Sequence, residues 1–284
     1  MCETCGCGGK DDDYKIYKPG KEIAETEIGS IHYHENHNHV HSDHEHSHTH
    51  PYHDHTHNFH EHNNEHQNTT SKQIIEIGKD ILETNNLIAE RNRGYFEAKA
   101  ILALNLVSSP GSGKTSLLEK TIVGLRDKRK CAVIEGDQQT DNDAKRIAVT
   151  GADVLQINTG NACHLDANMI HDTLHQLKPA DGSVVFIENV GNLVCPALFD
   201  LGEKFRVVIF SVTEGEDKPL KYPNMFYTSQ VCIINKTDLL PYLDFDLELA
   251  KKNVFKINPY ITIIEISVKS EKGLSEWINW VKQN

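Results

Sequence analysis

The run Ser108-Ser109-Pro110-Gly111-Ser112-Gly113-Lys114-Thr115 constrains the fold more tightly than any other part of the chain. It follows an apolar stretch at residues 102–107 and precedes a helical pattern carried by Leu117, Leu118, Ile122 and Leu125. A glycine-rich turn from a buried strand into a helix, closed by Lys-Thr, surrounds phosphate groups with backbone N–H donors at the positive end of the helix. Gly111, Ser112 and Gly113 would form that cradle. Lys114 would neutralise the β- and γ-oxygens, and the Thr115 hydroxyl would bind Mg²⁺. The general pattern begins with glycine, where this chain has Ser108, but the GSGKT core is intact.

Such a loop needs a strand buried on both faces, and the sequence supplies several candidates. Apolar strand-like runs lie at residues 102–107, 132–134, 184–187, 207–210, 231–234 and 261–266, with a weaker one at 154–157. Helical patterns or loops separate most of them. This alternation predicts an α/β fold, a mainly parallel sheet with helices on both faces. Thr70 and Gln73 have capping-box spacing, and Ile74, Ile77, Ile81 and Ile88 follow at helical spacing, so an amphipathic helix is expected to open the domain. Residues 71–284 are enough for one such domain around one core.

Residues 1–70 read differently. They hold scattered charge, few aliphatics and a dense histidine tract, too little apolar surface to offset the entropy of ordering, and are expected to form a disordered tail. They carry 4 basic and 13 acidic residues against 25 and 28 in the rest, so the net charge of −12 belongs mainly to the tail. An acidic chain argues against coating nucleic acid, which needs many cations to displace counterions. No apolar run reaches the ~18–20 residues of a membrane span. The start, Met-Cys-Glu-Thr-Cys, lacks the apolar core of a signal peptide. A cytoplasmic protein with reduced thiols is expected.

Asn235-Lys236-Thr237-Asp238 follows the apolar run at 231–234. A carboxylate at Asp238 can accept from guanine N1–H and N2–H₂ together, a donor pair that adenine lacks. The stem of Lys236 can cover the base plane, and Ser267, after the run at 261–266, stands where a second base-side loop would be. The motif follows the phosphate loop by about 120 residues, and ligands of parallel sheets bind at the carboxyl ends of strands. Between the two lie Asp137, after the run at 132–134, and Glu188, after the run at 184–187. Carboxylates at strand ends suit Mg²⁺, because the cation offsets their desolvation. Asp137, Glu188 and Asn189 are all candidates for orienting an attacking water, and the catalytic residue is left open.

Metal ligands occur in three places. Cys2, Cys5 and Cys7 form C-x-x-C-G-C, and three thiolates so close suit Ni²⁺ or Zn²⁺. Residues 32–66 hold 15 of the 18 histidines, interleaved with Asp, Glu, Asn, Ser and Thr, a pattern of many interchangeable chelates that reads as multi-ion storage. Within the domain, Cys163 and His164 are adjacent and Cys195 precedes a proline. Three ligands leave a position open for exchange, or a two-fold axis could join two sets. Cys131 and Cys232 sit in apolar contexts and read as core. His171 and His175, at i and i+4, have the spacing of a chelate but read rather as a solvated helix face.

C-x-x-C-G-C, the histidine tract, GSGKT, GDQQT, the Cys-His pair, ENVGN followed by Cys-Pro, and NKTD occur in one order. In this the chain resembles the hydrogenase nickel-incorporation GTPases of the HypB family, in the dimerising (SIMIBI-type) class of P-loop GTPases. The resemblance implies a Mg²⁺-dependent GTPase that stores nickel and helps insert it into [NiFe]-hydrogenase. It also implies a nucleotide-favoured homodimer, a small nickel-binding partner of the HypA family, and indirect action on the hydrogenase large subunit. It makes Cys163, His164 and Cys195 a metal site at the dimer interface, and Cys2, Cys5 and Cys7 a tighter one. Ala162 replaces a frequent glycine of that loop. Two alternatives are a nickel or zinc storage protein with a vestigial GTPase, and a urease accessory GTPase. The metal motif of the latter is Cys-Pro-His, whereas here Cys163-His164 stands apart from Cys195-Pro196.

Overall fold

The computed structural model describes residues 14–20 and 66–284. Cys2, Cys5, Cys7 and residues 32–65 of the histidine tract lie outside the described residues. The chain divides into two compact units, Met1–Lys21 with Gly78–Asn284, and Glu22–Ile77. Of the second unit the described part is helical backbone from His66.

Seven strands match the apolar runs: β2 (Leu102–Ser108), β3 (Cys131–Asp137), β4 (Asp153–Asn158), β5 (Val184–Glu188), β6 (Phe205–Ser211), β7 (Val231–Asn235) and β8 (Thr262–Glu265). They form one parallel sheet in the order β4-β3-β5-β2-β6-β7-β8. An eighth strand, β1 (Lys15–Tyr17), pairs antiparallel with β4 at its edge. This differs from the expectation of a tail without structure. Ile16 and Tyr14 pack against the core, and the Tyr14 hydroxyl donates to the Asp172 carboxylate, so burial of two side chains offsets the ordering of a short segment.

The strands alternate between two apolar layers. Leu102, Leu104 and Leu106 of β2, with Phe186, Ile209 and Ile233, pack against α2 (Lys114–Leu125), α3 (Asn142–Val149) and α8 (Leu274–Gln283). On the other face Ala103, Ile134 and Ile187 pack against Phe96 of α1 (His66–Ala98) and against α4 (Ala167–Leu177). Beside them Val208, Phe210 and Ile234 pack against α6 (Pro223–Tyr227) and α7 (Leu247–Ile257). A four-residue helix, α5 (Lys218–Lys221), precedes α6. Helices thus cover both faces, as a parallel sheet requires.

The first long helix starts earlier than the capping-box spacing predicts. Residues 66–69 are already helical, so Thr70 lies inside α1, and the boundary drawn between residues 70 and 71 falls within one element. No described helix is long and apolar enough to cross a membrane.

One polar chain crosses this apolar interior. Arg206 Nε donates to Glu203 Oε1 at 3.1 Å, and Asn105 Nδ2 donates to the same oxygen at 3.0 Å. Asn189 Nδ2 donates to Asn105 Oδ1 at 3.3 Å, and the Leu165 amide donates to Asn189 Oδ1 at 3.3 Å. Burial pushes the Glu203 carboxyl up, but Arg206 and Asn105 outweigh it and hold the group below its usual range. A buried charge is tolerated because every link is hydrogen-bonded.

Candidate functional site

β2 is the central strand, flanked by β5 and β6, and its carboxyl end opens into the phosphate loop. Gly111 and Gly113 take left-handed backbone conformations, with φ of 78° and 92°. At Gly113 a second constraint applies, because a Cβ there would stand 2.5 Å from Asn235 Nδ2. That amide nitrogen donates to the Ser112 carbonyl at 2.8 Å, and Lys236 Nζ donates to the Gly111 carbonyl at 2.7 Å. The end of β7 therefore clamps the loop after β2. Gly113→Ala is expected to break the clamp and to weaken nucleotide binding by at least about tenfold, the effect of roughly 1.4 kcal/mol of strain. Binding of a fluorescent guanine nucleotide checks this, and unchanged affinity would count against the clamp.

Lys236 has φ of 64°, and its amide donates to Asn235 Oδ1 at 2.7 Å. Ser267 Oγ donates to Asp238 Oδ1 at 2.6 Å, and the Ser270 amide donates back to Ser267 Oγ at 3.0 Å. The structure thus brings Asn235, Lys236, Asp238 and Ser267 to one end of the sheet, with the Asp238 carboxylate held in one orientation by the loop after β8.

On the other side of β2, Glu188 is fully buried. Its Oε1 accepts from Thr115 Oγ1 at 2.6 Å and lies 3.1 Å from Lys114 Nζ. Glu135 stands opposite Glu188 in the β3–β5 pairing. Burial, then the Glu188 charge, pushes the Glu135 carboxyl up to about 9, so it keeps its proton at neutral pH. Among the described residues, Glu135 Oε2 and Glu188 Oε2 have no hydrogen-bond partner. Two buried carboxyl groups with unmatched oxygens, beside a threonine hydroxyl, have the oxygen chemistry that Mg²⁺ takes. Asp137 is turned to its own loop. The Thr140 hydroxyl and amide reach its Oδ2 at 2.7 and 2.8 Å, and although burial acts against them, these bonds hold its carboxyl below the usual range. Asn189 has both ends of its carboxamide engaged in the buried polar chain, so it ties loops together rather than facing the phosphate loop.

The Cys-His pair lies between β4 and α4, a helix capped by Asp166, whose side chain accepts from the Met169 amide at 2.8 Å. Cys195 opens a 3₁₀ turn at Cys195–Ala197. The structure brings the three predicted ligands together. Cys163 Sγ lies 3.0 Å from Cys195 Sγ and 3.9 Å from His164 Nδ1, and the ligand atoms all fall within 4.8 Å of one another. That sulfur–sulfur separation is well outside the about 2.05 Å of a disulfide. His164 is buried and stacks on Phe199 with ring centroids 4.0 Å apart. Burial pushes its imidazole pKa down against the pull of Asp166, which favours the neutral, metal-binding form.

One segment joins the two centres. Residues 188–195 begin at the phosphate side, where the backbone of Gly191 faces Pro110 so closely that a Cβ would meet it at 3.1 Å. They end at Cys195, and on the way Asn192 Nδ2 donates to the Cys163 carbonyl at 3.2 Å.

Comparison with known proteins identifies the family and the fold. The family described as "CobW/HypB/UreG, nucleotide-binding domain" matches residues 102–265. The Hydrogenase maturation factor HypB of Escherichia coli K12 is 58% identical over 197 residues, which are 69% of this chain and 68% of that protein. The chain belongs to the HypB family. The probable HypB of Methanocaldococcus jannaschii is 38% identical over 197 residues, 69% of this chain and 89% of that protein. The crystal structure of HypB from Archaeoglobus fulgidus aligns with a TM-score of 0.67 at 39% identity, covering 71% of this chain and 98% of that one. HypB from Helicobacter pylori in complex with nickel aligns with a TM-score of 0.66 at 39% identity, covering 70% and 94%. The fold and the nucleotide-binding domain are thus those of HypB, as the sequence motifs implied.

Sequence reasoning missed Glu135. The available signal was a carboxylate directly after the apolar run at 132–134, in a strand whose neighbours are buried. It also missed Glu214, which accepts from Ser112 Oγ at 2.8 Å and from the Ser211 amide at 2.9 Å. No local pattern marks its contact with the phosphate loop, since Ser112 is 102 positions away.

Proposed function

We propose that this protein is a GTP-hydrolysing nickel metallochaperone that stores nickel and helps insert it into [NiFe]-hydrogenase. The observation that carries the reading is the single segment, residues 188–195, that touches both the phosphate loop and the cysteine–histidine cluster. In this reading Gly111, Ser112, Gly113, Lys114 and Thr115 bind the triphosphate, while Asn235, Lys236, Asp238 and Ser267 read guanine. Hydrolysis forms a bond from a water oxygen to the γ-phosphorus and breaks the bond to the β–γ bridging oxygen, with the water proton passing to phosphate or to a nearby base. Mg²⁺, when bound, supplies neutralisation of the β- and γ-oxygens, and Thr115 and Glu188 would hold it, joined by Asp137 once its carboxylate turns from Thr140 toward the phosphates. Cys163, His164 and Cys195 carry Ni²⁺ or Zn²⁺ as cargo, with Cys2, Cys5 and Cys7 as a second site and the histidine tract as a reservoir. The partners in this reading are a second copy of the chain, favoured by nucleotide, a small nickel-binding protein of the HypA family, and through it the hydrogenase large subunit. In this reading the protein works in the cytoplasm.

Nucleotide and metal should then be coupled. Ni²⁺ affinity at Cys163, His164 and Cys195 is expected to differ by about 5–150-fold between GDP and a non-hydrolysable GTP analogue, and linkage makes the effect reciprocal. Because β1 and the start of α1 precede residue 71, the test keeps the full chain and replaces Cys2, Cys5 and Cys7 by Ser. Thiolate-to-nickel charge-transfer absorption then reports the internal cysteines and ignores the histidines. Association state is followed by sedimentation. Equal affinities and equal association in both nucleotide states would overturn the reading.

A further inference from the structure

On α4, His171 and His175 turn toward each other, with Nε2 atoms 3.2 Å apart and ring planes at 83°. This pair is separate from the Cys163–His164–Cys195 cluster and from the nucleotide loops.

The chain fixes which nitrogen of His171 can act as a ligand. His171 Nδ1 lies 3.3 Å from Asn92 Oδ1. Asn92 is fully buried, and its Nδ2 donates to two carbonyls, Ala167 at 2.8 Å and Leu201 at 3.1 Å. Those bonds settle the orientation of the amide, so its oxygen must be the atom that faces the imidazole. An oxygen there accepts, which places the proton on His171 Nδ1 and leaves a lone pair on Nε2, aimed at His175. A buried carboxamide that sets the tautomer of a histidine is the outer-shell arrangement that metal-ligating histidines use. His171 is half-buried and His175 exposed, so an ion can reach the pair from solvent.

We propose that His171 and His175 form a second metal site within the domain, a two-imidazole chelate for a divalent first-row transition ion. With metal–nitrogen bonds of about 2.0–2.1 Å, an ion bridging atoms 3.2 Å apart subtends about 100°, between octahedral and tetrahedral geometry. Imidazole suits Ni²⁺, Zn²⁺ and Cu²⁺, and water completes the shell. When the ion binds, His175 presents its Nε2 lone pair and carries its proton on Nδ1. Without it, His175 Nε2–H donates to His171 Nε2. The site takes its ligands from one rigid helix, so it exchanges ions without moving the backbone.

The test uses the full chain and Ni²⁺ alone, with a residue-specific readout because other histidines also bind. Diethyl pyrocarbonate modification of His171 and His175 is followed by peptide mass spectrometry, with and without excess Ni²⁺. The rate at His175 should fall about tenfold once free Ni²⁺ stands about ten times above the dissociation constant. His171→Ala, which removes one of the two ligands, should abolish protection at His175 and leave Ni²⁺ protection of Cys163 and Cys195 from alkylation unchanged. Equal modification of His175 with and without Ni²⁺ would overturn the proposal. So would full protection of His175 in His171→Ala. A melting curve of the variant shows that the helix is intact.

Discussion

Asp238→Asn is expected to lower affinity for GTP and GDP by about 10- to 100-fold, the effect of losing a charge-assisted hydrogen bond of roughly 1.5–3 kcal/mol. Ser267 holds one carboxylate oxygen at 2.6 Å, so the group is oriented before ligand arrives, and the variant loses its acceptor without losing that anchor. The amide places an N–H₂ where guanine also offers N–H₂, and two donors face each other. Xanthine carries a carbonyl at that position, so xanthosine triphosphate should recover much of the lost affinity in the variant. Calorimetric titration with the three nucleotides decides it. Equal GTP affinity in the two proteins, or no gain for the xanthine nucleotide, would remove Asp238 from the base site.

Lys114→Ala should lower single-turnover GTP hydrolysis by about a hundred- to a thousandfold, the range seen when a preorganised donor to developing charge is removed. A second consequence follows from the surroundings. Lys114 Nζ lies 3.1 Å from Glu188 Oε1, and Glu188 faces the protonated Glu135. Without the ammonium, the two buried carboxyl groups lose a nearby cation. Nucleotide-free variant should therefore melt lower than the parent at pH 8, and added Mg²⁺ should recover part of the loss. Hydrolysis within a few-fold of the parent would show that Lys114 does not reach the γ-phosphate.

The strands were legible because of their burial. A strand covered by helices on both faces has no polar side to confuse the pattern, and residues 184–187 and 231–234 announce themselves as continuous apolar runs, while 102–107 is broken only by Asn105. β1 escaped notice because three residues, Lys-Ile-Tyr, carry no period, and their partner strand is about 140 residues away. The helix cap at Thr70 was misplaced for a related reason, since a capping box is a four-residue pattern that does not say where upstream helix begins. In the site, the residues that belong to phosphate and guanine motifs were legible because their chemistry demands fixed spacing. Glu135, Glu214 and Asn105 were not, since each acts through a neighbour brought in by the sheet rather than by the sequence. The His171–His175 pair was visible as a spacing, but the amide that sets its tautomer lies about 80 residues upstream.

The buried chain from Leu165 through Asn189, Asn105 and Glu203 to Arg206 has a direction. From Leu165 each group donates to the next until two donors, Asn105 and Arg206, meet on one carboxylate. A near-isosteric exchange at any single link, Asn to Asp or Glu to Gln, sets donor against donor or acceptor against acceptor in a place that water does not reach. Drift at these positions is therefore blocked one residue at a time and open only to matched changes. Among relatives of this chain Asn105, Asn189 and Glu203 should vary together or not at all, while the aliphatic residues around them exchange freely for others of similar volume.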